Sequence, residues 1–445
     1  MIAGVAAGHP ATAAAGVEIL RAGGSAADAA VAACLASCVA ETVMTGLLGG
    51  AHAIHWDGET ARNLDGFCAV PSGRGADLVQ LEVPFGAELV HYAIGPASCA
   101  VPGVAALLGE LHAAHGRLPW PRLCEPALRL ARDGVAMPPA HVACLVMLEP
   151  VMTLREGAQM YAPGGALLQP GDVLHQPGLV RALEPLADEG ARTVYDGTIA
   201  DALLALSDER GGLLTRADLA SYRAEWHEPV DVEWRGRRVL TRGGLSGMSD
   251  ALRRFDTPGV LQLVDALGVP HAPETHTTNL VAADADGRAC VITTSLGLGS
   301  GDWVPGFDLH LNSMLGEADL LRGELAPGAR MHSMMAPTIV PGELAIGAAG
   351  GTRLRTALLT VLARIVDDGL SVQDAIDAPR IHPAGDVVNA EPGADEHALE
   401  ALESQGRTVR RWLERHHYFG GVSALGRAGA GADPRRSGAA LTPER

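Results

Sequence analysis

Basic residues are scarce in this sequence. Its 445 residues include 34 Lys and Arg against 52 Asp and Glu, which gives a formal net charge of −18. A negative field of that size disfavours the approach of nucleic acid and of anionic membrane surfaces. We therefore expect neither as a partner.

Long apolar runs and targeting signals are also lacking. No stretch of about 18 or more apolar residues occurs, because Asp28 and Glu41 interrupt the most apolar region. The first ten residues carry no basic segment of the kind that opens a secretory signal. These absences predict a protein that neither spans a membrane nor carries a secretory leader.

The sequence contains few cysteines, and their spacing shows no pattern of pairs. The seven cysteines are odd in number and unclustered, as expected of a reduced, cytoplasmic protein. No His-Glu-x-x-His or Cys-x-x-Cys array occurs, so we expect no metal and no organic cofactor. The glycine-rich stretch 45–50 is not followed by Gly-Lys-Ser/Thr, which makes it a crowded turn rather than a phosphate-binding loop.

The sequence is long, is rich in small residues and contains clear signals for the ends of helices. Hydrophobic residues make up 47% of the chain and there are 55 glycines, enough for one large core or two to three packed units. Residues 10–22 and then 25–39, with Ser25 as cap, predict two alanine-rich helices. Small side chains let such helices pack closely against a sheet.

The most informative stretch surrounds Thr277. Two short apolar runs flank a turn from Asp284 to Gly287, a pattern that predicts a β-hairpin with Thr277 at the mouth of its first strand. If the bond between His276 and Thr277 were cut, Thr277 would carry a hydroxyl nucleophile and a free α-amine with a pKa of roughly 7.7–8.0. One residue could then attack and act as its own base. The alternative is that two threonines simply begin a strand.

The same segment resembles the autoprocessing site of the γ-glutamyltranspeptidase family. That signature runs Thr-Thr-His-aromatic-Ser, then a strand and an Asp-x-Asp-Gly turn. Counting back from Gly287 aligns Thr277 with the family nucleophile, whereas Asn279 stands in place of the histidine. The resemblance extends from residue 5 to about 426, apart from a shortened region at 241–270.

This resemblance implies an α+β fold, the four-layer αββα sandwich of N-terminal-nucleophile hydrolases. It implies a precursor cut into fragments 1–276 and 277–445, intertwined in one core, with the order of any higher oligomer left open. The large fragment would supply a helical wall and part of the core sheets. Composition predicts that the chain after about 426, rich in Gly, Ala, Pro and Arg, is flexible.

The resemblance also assigns roles around the nucleophile. Ser295 would place a hydroxyl beside Thr277, and the amides of Gly350 and Gly351 would form an oxyanion hole. Glu317 takes the place of the acid that holds the substrate amine. The simpler interpretations are a Ser/Thr-rich strand face, a plain strand-to-helix turn and a solvated loop carboxylate.

Two family contacts to the substrate α-carboxylate are missing. Phe67 stands where the family has an arginine, and Met334 replaces the second of two serines, while Ser333 keeps the first. A phenyl ring cannot form the paired hydrogen bonds of a guanidinium. The loss predicts a pocket less polar than a γ-glutamyl site.

The function implied is acyl transfer from an amide-type small-molecule donor to water or an amine. Ordinary glutathione is not the expected donor, because Phe67 and Met334 favour an apolar or cyclic acyl group. A specialised acylase, a C–C hydrolase of a biosynthetic pathway, and an unprocessed, inactive scaffold stay open as alternatives.

Overall fold

A computed structural model describes residues 1–85, 88–268, 277–323 and 325–443. Its strands in chain order are β1 (Gly4–Ala7), β2 (Gly50–Trp56), β3 (Ala61–Gly66), β4 (Val79–Phe85), β5 (Glu88–Ile94), β6 (Val135–Ala136), β7 (Val173–Leu174), β8 (Glu225–His227), β9 (Val230–Trp234), β10 (Arg237–Thr241), β11 (Thr278–Ala283), β12 (Ala289–Ser295), β13 (Trp303–Val304), β14 (Leu309–His310), β15 (Thr338–Val340), β16 (Leu344–Ala349), β17 (Ile381–Ala384), β18 (Val387–Ala390), β19 (Thr408–Arg411), β20 (Gly421–Gly426), β21 (Gly429–Ala432) and β22 (Ala439–Leu441).

The helices in the same described residues are α1 (Pro10–Arg21), α2 (Ala26–Ala40), α3 (Val104–His115), α4 (Trp120–Asp133), α5 (Pro139–Met147), α6 (Glu149–Met152), α7 (Gly157–Tyr161), α8 (Pro177–Glu189), α9 (Thr193–Asp196), α10 (Thr198–Arg210), α11 (Arg216–Ser221), α12 (Met248–Arg254), α13 (Val260–Leu267), α14 (Arg353–Val366), α15 (Val372–Asp377) and α16 (Glu396–Ser404).

Two antiparallel sheets form the centre of the molecule. The first has the strand order β22-β1-β11-β12-β2-β3-β8, and the second has the order β21-β20-β16-β15-β10-β9. Residues before and after position 277 contribute strands to both sheets. Any cut at that position would therefore leave two chains sharing one core.

Side chains of β11 and β12 point alternately to the two faces of the first sheet. On β11, Val281 belongs to the apolar cluster between the sheets, whereas Leu280 belongs to the cluster under the first helical layer. On β12, Val291 and Ile292 divide in the same way. Successive side chains of a strand point to opposite faces, so these strands are buried on both sides.

Helices cover the outer face of each sheet. Helices α1, α2 and α3 pack on the first sheet, with α4 and α8 packed behind α2. Helices α12, α14 and α15 pack on the second sheet, with α13 and α16 beside them. The result is four layers in the order αββα, which confirms the predicted α+β class and architecture.

The two N-terminal helices form as their sequence predicts. Ser25 and Asp28 make a reciprocal capping box at the start of α2, and all fifteen residues of that helix are buried. Alanine dominates α2 because the helix lies between α1, α4 and the first sheet. Only small side chains allow such close approach on every side.

The hairpin around Asp284–Gly287 is confirmed. Strands β11 and β12 pair from Thr278 opposite Thr294 to Ala283 opposite Ala289. Asp284 closes the turn by accepting hydrogen bonds from the N–H groups of Asp286 and Arg288. Thr277 therefore directly precedes the first strand, as predicted.

The prediction that the chain after about 426 is flexible is wrong. Strand β21 pairs with β20, and β22 pairs with β1 at the edge of the first sheet. The glycines and alanines of this C-terminal segment pack against neighbouring elements. Gly431, for example, lies against Ile376. Composition alone gave no sign of these distant strand partners.

Buried ion pairs anchor this C-terminal segment. Asp433 lies between the guanidinium groups of Arg380, at 2.5 Å, and Arg435, at 3.2 Å. Arg435 also contacts Glu391. All four side chains are at most 4% exposed, so each charge depends on its partners for stabilisation.

In the described residues, no helix has both the length and the apolar character required to cross a bilayer. The seven cysteines are all buried and free. Placement in a reduced, cytoplasmic compartment stays a prediction.

Substituting Asp433→Asn should destabilise the protein by about 3–5 kcal/mol, because it leaves two buried guanidinium groups without their shared carboxylate. Urea unfolding measures the change. The matched control is Asp231→Asn, which breaks the exposed pair with Arg238 and should leave the midpoint almost unchanged. Equal effects from the two substitutions would contradict the assignment of the buried network as an anchor.

Candidate active site

Thr277 lies at the rim of the first sheet, where the hairpin opens. The register that pairs Thr278 with Thr294 brings Thr277 level with Ser295, the last residue of β12. Both residues are buried, with 2% and 1% of their surface exposed. The two hydroxyl-bearing residues thus share one end of the strand pair.

A narrow cavity joins this rim to the second sheet. Its free space is about 10 Å³, room for roughly one water molecule. Four of the ten lining residues are hydroxyl-bearing or glycine, and the others are apolar: Phe67, Thr277, Ser295, Met314, Leu320, Ser333, Met334, Met335, Gly351 and Leu354. Three methionines make the wall adaptable, because their side chains change shape easily.

The structure brings most of the predicted site residues together. Phe67, Ser295, Ser333, Met334 and Gly351 all line the cavity beside Thr277. Gly350 directly precedes Gly351, whereas Glu317 is not among the lining residues. His276, the other half of the predicted cleavage site, lies outside the described residues.

Phe67 occupies its position through its backbone as well as its ring. The ring stacks on His52 at a centroid distance of 5.4 Å, and the carbonyl accepts hydrogen bonds from Arg330, at 2.9 Å, and from the hydroxyl of Tyr222. Burial lowers the pKa of His52 to about 3. A neutral imidazole therefore lies behind the phenyl ring that lines the cavity.

Two guanidinium groups lie close to the wall without lining it. Arg330 binds the carbonyl of Phe67, and Arg242 donates to the carbonyl of Ser333 at 2.9 Å. Neither arginine is among the residues that line the cavity. The sequence predicts the loss of the arginine and serine that bind a carboxylate in the family. At the positions of those two residues, the cavity is therefore lined by apolar side chains.

Ser333 and Met334 form a tight turn. The Ser333 hydroxyl accepts a hydrogen bond from the N–H of Met335 at 3.2 Å, which fixes the loop just ahead of β15. Met334 is half-buried and faces the cavity. The side chain of the residue that replaces a family serine thus adds apolar surface beside Thr277.

The glycine turn after β16 adopts backbone angles that favour glycine. Gly350 has φ +125° and Gly351 has φ +57°. A Cβ on Gly350 would come within 2.8 Å of the Cα of Gly420. The N–H of Gly351 has no acceptor within the described ranges, and α14 begins two residues later. An amide at the start of a helix is suited to hold a developing negative charge.

Glu317 is buried, at 2% exposure, in the loop after β14. Across the described part of the chain, neither of its carboxylate oxygens has a hydrogen-bond partner. Burial raises its pKa well above the usual value, and Asp319 adds to the shift. The solvated-loop alternative is therefore wrong, whereas its role as a substrate contact stays a prediction.

Sequence reasoning missed the residues behind Thr277. Glu41 is fully buried and accepts hydrogen bonds from the hydroxyls of Thr12, at 2.7 Å, and Thr278. Burial raises the pKa of Glu41 to about 7, although both hydroxyls and Arg436 oppose the shift. An acidic residue directly after an alanine-rich helix was the one signal of a buried polar role.

The groups that meet at this cavity are suited to one kind of chemistry. A hydroxyl at residue 277, a second hydroxyl at Ser295 and an amide at Gly351 converge on one cavity with an otherwise apolar wall. These are the parts that nucleophilic attack on a carbonyl requires.

Comparison with known proteins agrees with this arrangement. A family model described as Gamma-glutamyltranspeptidase matches residues 12–251 and 258–442. The acylase ACY 1 proenzyme of Pseudomonas sp. (strain V22) is 28% identical over 504 residues, which cover 94% of this chain and 88% of that protein. The glutathione hydrolase proenzyme of Pseudomonas aeruginosa is 28% identical and covers 82% of this chain and 80% of its own length.

A solved structure extends the likeness to the fold. Cephalosporin acylase from Bacillus halodurans superposes with a TM-score of 0.84 at 25% identity, covering 99% of this chain and 96% of that one. The chain belongs to the γ-glutamyltranspeptidase family, and it is an enzyme of the N-terminal-nucleophile hydrolase and transferase type.

Proposed function

We propose that this protein cuts its own chain ahead of Thr277 and then transfers an apolar acyl group from an amide-type donor to water or an amine. The observation that carries the proposal is the shared cavity of Thr277, Ser295 and Gly351, whose remaining wall is mainly Phe67 and methionine side chains. The similarity to the acylase ACY 1 proenzyme supports acyl transfer.

Self-cleavage needs only groups at the rim of the first sheet. The hydroxyl oxygen of Thr277 attacks the carbonyl carbon of residue 276, the C–N bond between the two residues breaks, and the chain is held by an ester. Breaking the C–N bond frees the α-amine of Thr277, which takes up the proton of the hydroxyl. Water then hydrolyses the ester, which releases a carboxylate on residue 276 and restores the Thr277 hydroxyl.

The liberated amine makes the second reaction possible. It takes the proton of the Thr277 hydroxyl as the oxygen attacks the donor carbonyl, and it returns the proton to the departing amine. The N–H groups of Gly350 and Gly351 stabilise the oxyanion. Water or an acceptor amine then attacks the acyl ester and restores Thr277.

The lining of the cavity supports an apolar donor. The ring of Phe67 and the side chain of Met334 stand where the family signature has an arginine and a serine. Methionine side chains can move aside to admit an acyl chain into the narrow space.

Thr277→Ala should abolish self-cleavage, because no other group at this rim supplies both hydroxyl and amine. Denaturing gel electrophoresis should show fragments 1–276 and 277–445 for the unmodified protein and one full-length band for the variant. Thr277→Ser, which keeps the hydroxyl, should still be cut. A single stable band from the unmodified protein would instead support an inactive scaffold.

Phe67→Arg should improve use of a γ-glutamyl donor. A charged hydrogen bond contributes roughly 1.5–3 kcal/mol, so kcat/KM for γ-glutamyl-p-nitroanilide should rise about tenfold or more, while butyryl-p-nitroanilide should be used less well. Phe67→Met keeps the wall apolar and should not show the gain. The apolar-donor proposal fails if the unmodified protein prefers the γ-glutamyl compound.

Glu317→Gln should stabilise the protein increasingly as pH rises. A carboxyl whose folded pKa is raised contributes its full stability below its unfolded pKa of about 4.3 and loses it as pH rises through the folded value. The variant should therefore unfold at a higher temperature near pH 8, by on the order of 2 °C. Exposed Glu149→Gln is the control. A difference independent of pH would contradict the burial argument.

A further inference from the structure

One short segment holds both strands of the hairpin next to the nucleophile. Glu41 accepts the hydroxyl of Thr278 on β11, and four residues later the Thr45 hydroxyl shares a 2.9 Å hydrogen bond with that of Thr294 on β12. Thr278 and Thr294 are themselves cross-strand partners. The segment 41–45 thus grips the residue pair directly behind Thr277 and Ser295.

Gly8 packs directly against the contact between Glu41 and Thr278. A Cβ on Gly8 would lie 2.5 Å from the Glu41 carboxylate and 2.7 Å from the Thr278 hydroxyl, so only glycine fits there. On the helix side, Thr12 donates to the other carboxylate oxygen at 2.7 Å. Glu41 therefore has one fixed orientation, set from α1 and transmitted to β11.

We infer that Glu41 is a positioning residue for the nucleophile: through the Thr278 hydroxyl it fixes the first residue of β11, and with it the place of the Thr277 amine and hydroxyl. The inference rests on the proposed function, because only a reaction at Thr277 gives that placement a consequence. Glu41 does not itself reach the cavity, since it is not among the lining residues.

A carboxylate suits this task because it accepts both hydroxyls at once. Protonated Glu41 becomes a donor at one oxygen, which weakens that oxygen as an acceptor for its threonine hydroxyl. Burial raises its pKa to about 7, and its place at the C-terminal end of α2 acts in the same direction. The change of charge therefore falls within the working pH range.

Other titratable and charged groups also face this carboxylate. Arg436 approaches from the C-terminal segment and favours the ionised form, and Cys38 lies one turn earlier in α2. His141 contacts the carbonyl of Gly8 at 3.3 Å and lies beside His9. Burial lowers the pKa of both histidines, so neither adds a positive charge at neutral pH.

The test compares Glu41→Gln, Thr278→Val and Thr278→Ser in the full chain, with butyryl-p-nitroanilide as donor. Thr278→Val removes the donor of this hydrogen bond, and Glu41→Gln leaves one acceptor oxygen for the two threonine hydroxyls. Each should lower kcat by about 100-fold, the scale of a 1 Å misplacement, with little change in KM. Their double variant should lose no more than either alone. Thr278→Ser keeps the hydroxyl and should restore kcat.

The pH profile separates positioning from general destabilisation. In the unmodified protein, log kcat/KM should fall on the acid side with a slope steeper than one around the pKa of Glu41, because Glu41 and the Thr277 amine both take up a proton. Glu41→Gln should leave a slope of one. The matched control, Thr360→Val, removes a buried hydroxyl from α14 and should lower stability without changing the profile or kcat.

The outcomes identify which proposal fails. If Glu41→Gln and Thr278→Val cut themselves and turn over the donor like the unmodified protein, the positioning role is overturned. If Thr360→Val loses as much kcat as Thr278→Val, the effect is one of stability and the role is likewise overturned. If the unmodified protein is never cut and never turns over a donor, the proposed function itself fails.

Discussion

The role that we propose for Thr277, as nucleophile and as its own base, has one strict requirement: the residue at the start of a strand must be held in place. Here that strand is β11, which pairs with β1 on one side and β12 on the other. Pairing with β12 starts at Thr278 and pairing with β1 starts at Leu280, so the backbone that follows Thr277 becomes fixed from both sides. The helices, the second sheet and the C-terminal segment all contribute to keeping that rim rigid.

Buried charge accompanies this arrangement. Glu41 and Glu317 both lie in surroundings that favour their uncharged forms, which costs stability at neutral pH. The network of Arg380, Asp433 and Arg435 shows the opposite solution, in which buried charges satisfy one another. We interpret Glu41 and Glu317 as positions where function, rather than stability, determines the residue.

The sequence was sufficient for local features with their own chemistry. The Asp284–Gly287 turn, the Ser25 cap and the Gly350–Gly351 turn each depend on residues a few positions apart, and all three form as expected. Contacts between distant residues were missed for a physical reason. The Glu41–Thr278 bond spans 237 positions, and the partners of β22 lie at the other end of the chain. Neither periodicity nor composition carries that information.

The most direct measurement is a tandem mass spectrum of the smaller fragment after brief exposure to butyryl-p-nitroanilide. The account predicts a fragment that begins Thr-Thr-Asn and carries a butyryl group on the side-chain oxygen of its first residue. A fragment with another start, or an acyl group attached elsewhere while turnover continues, would contradict it.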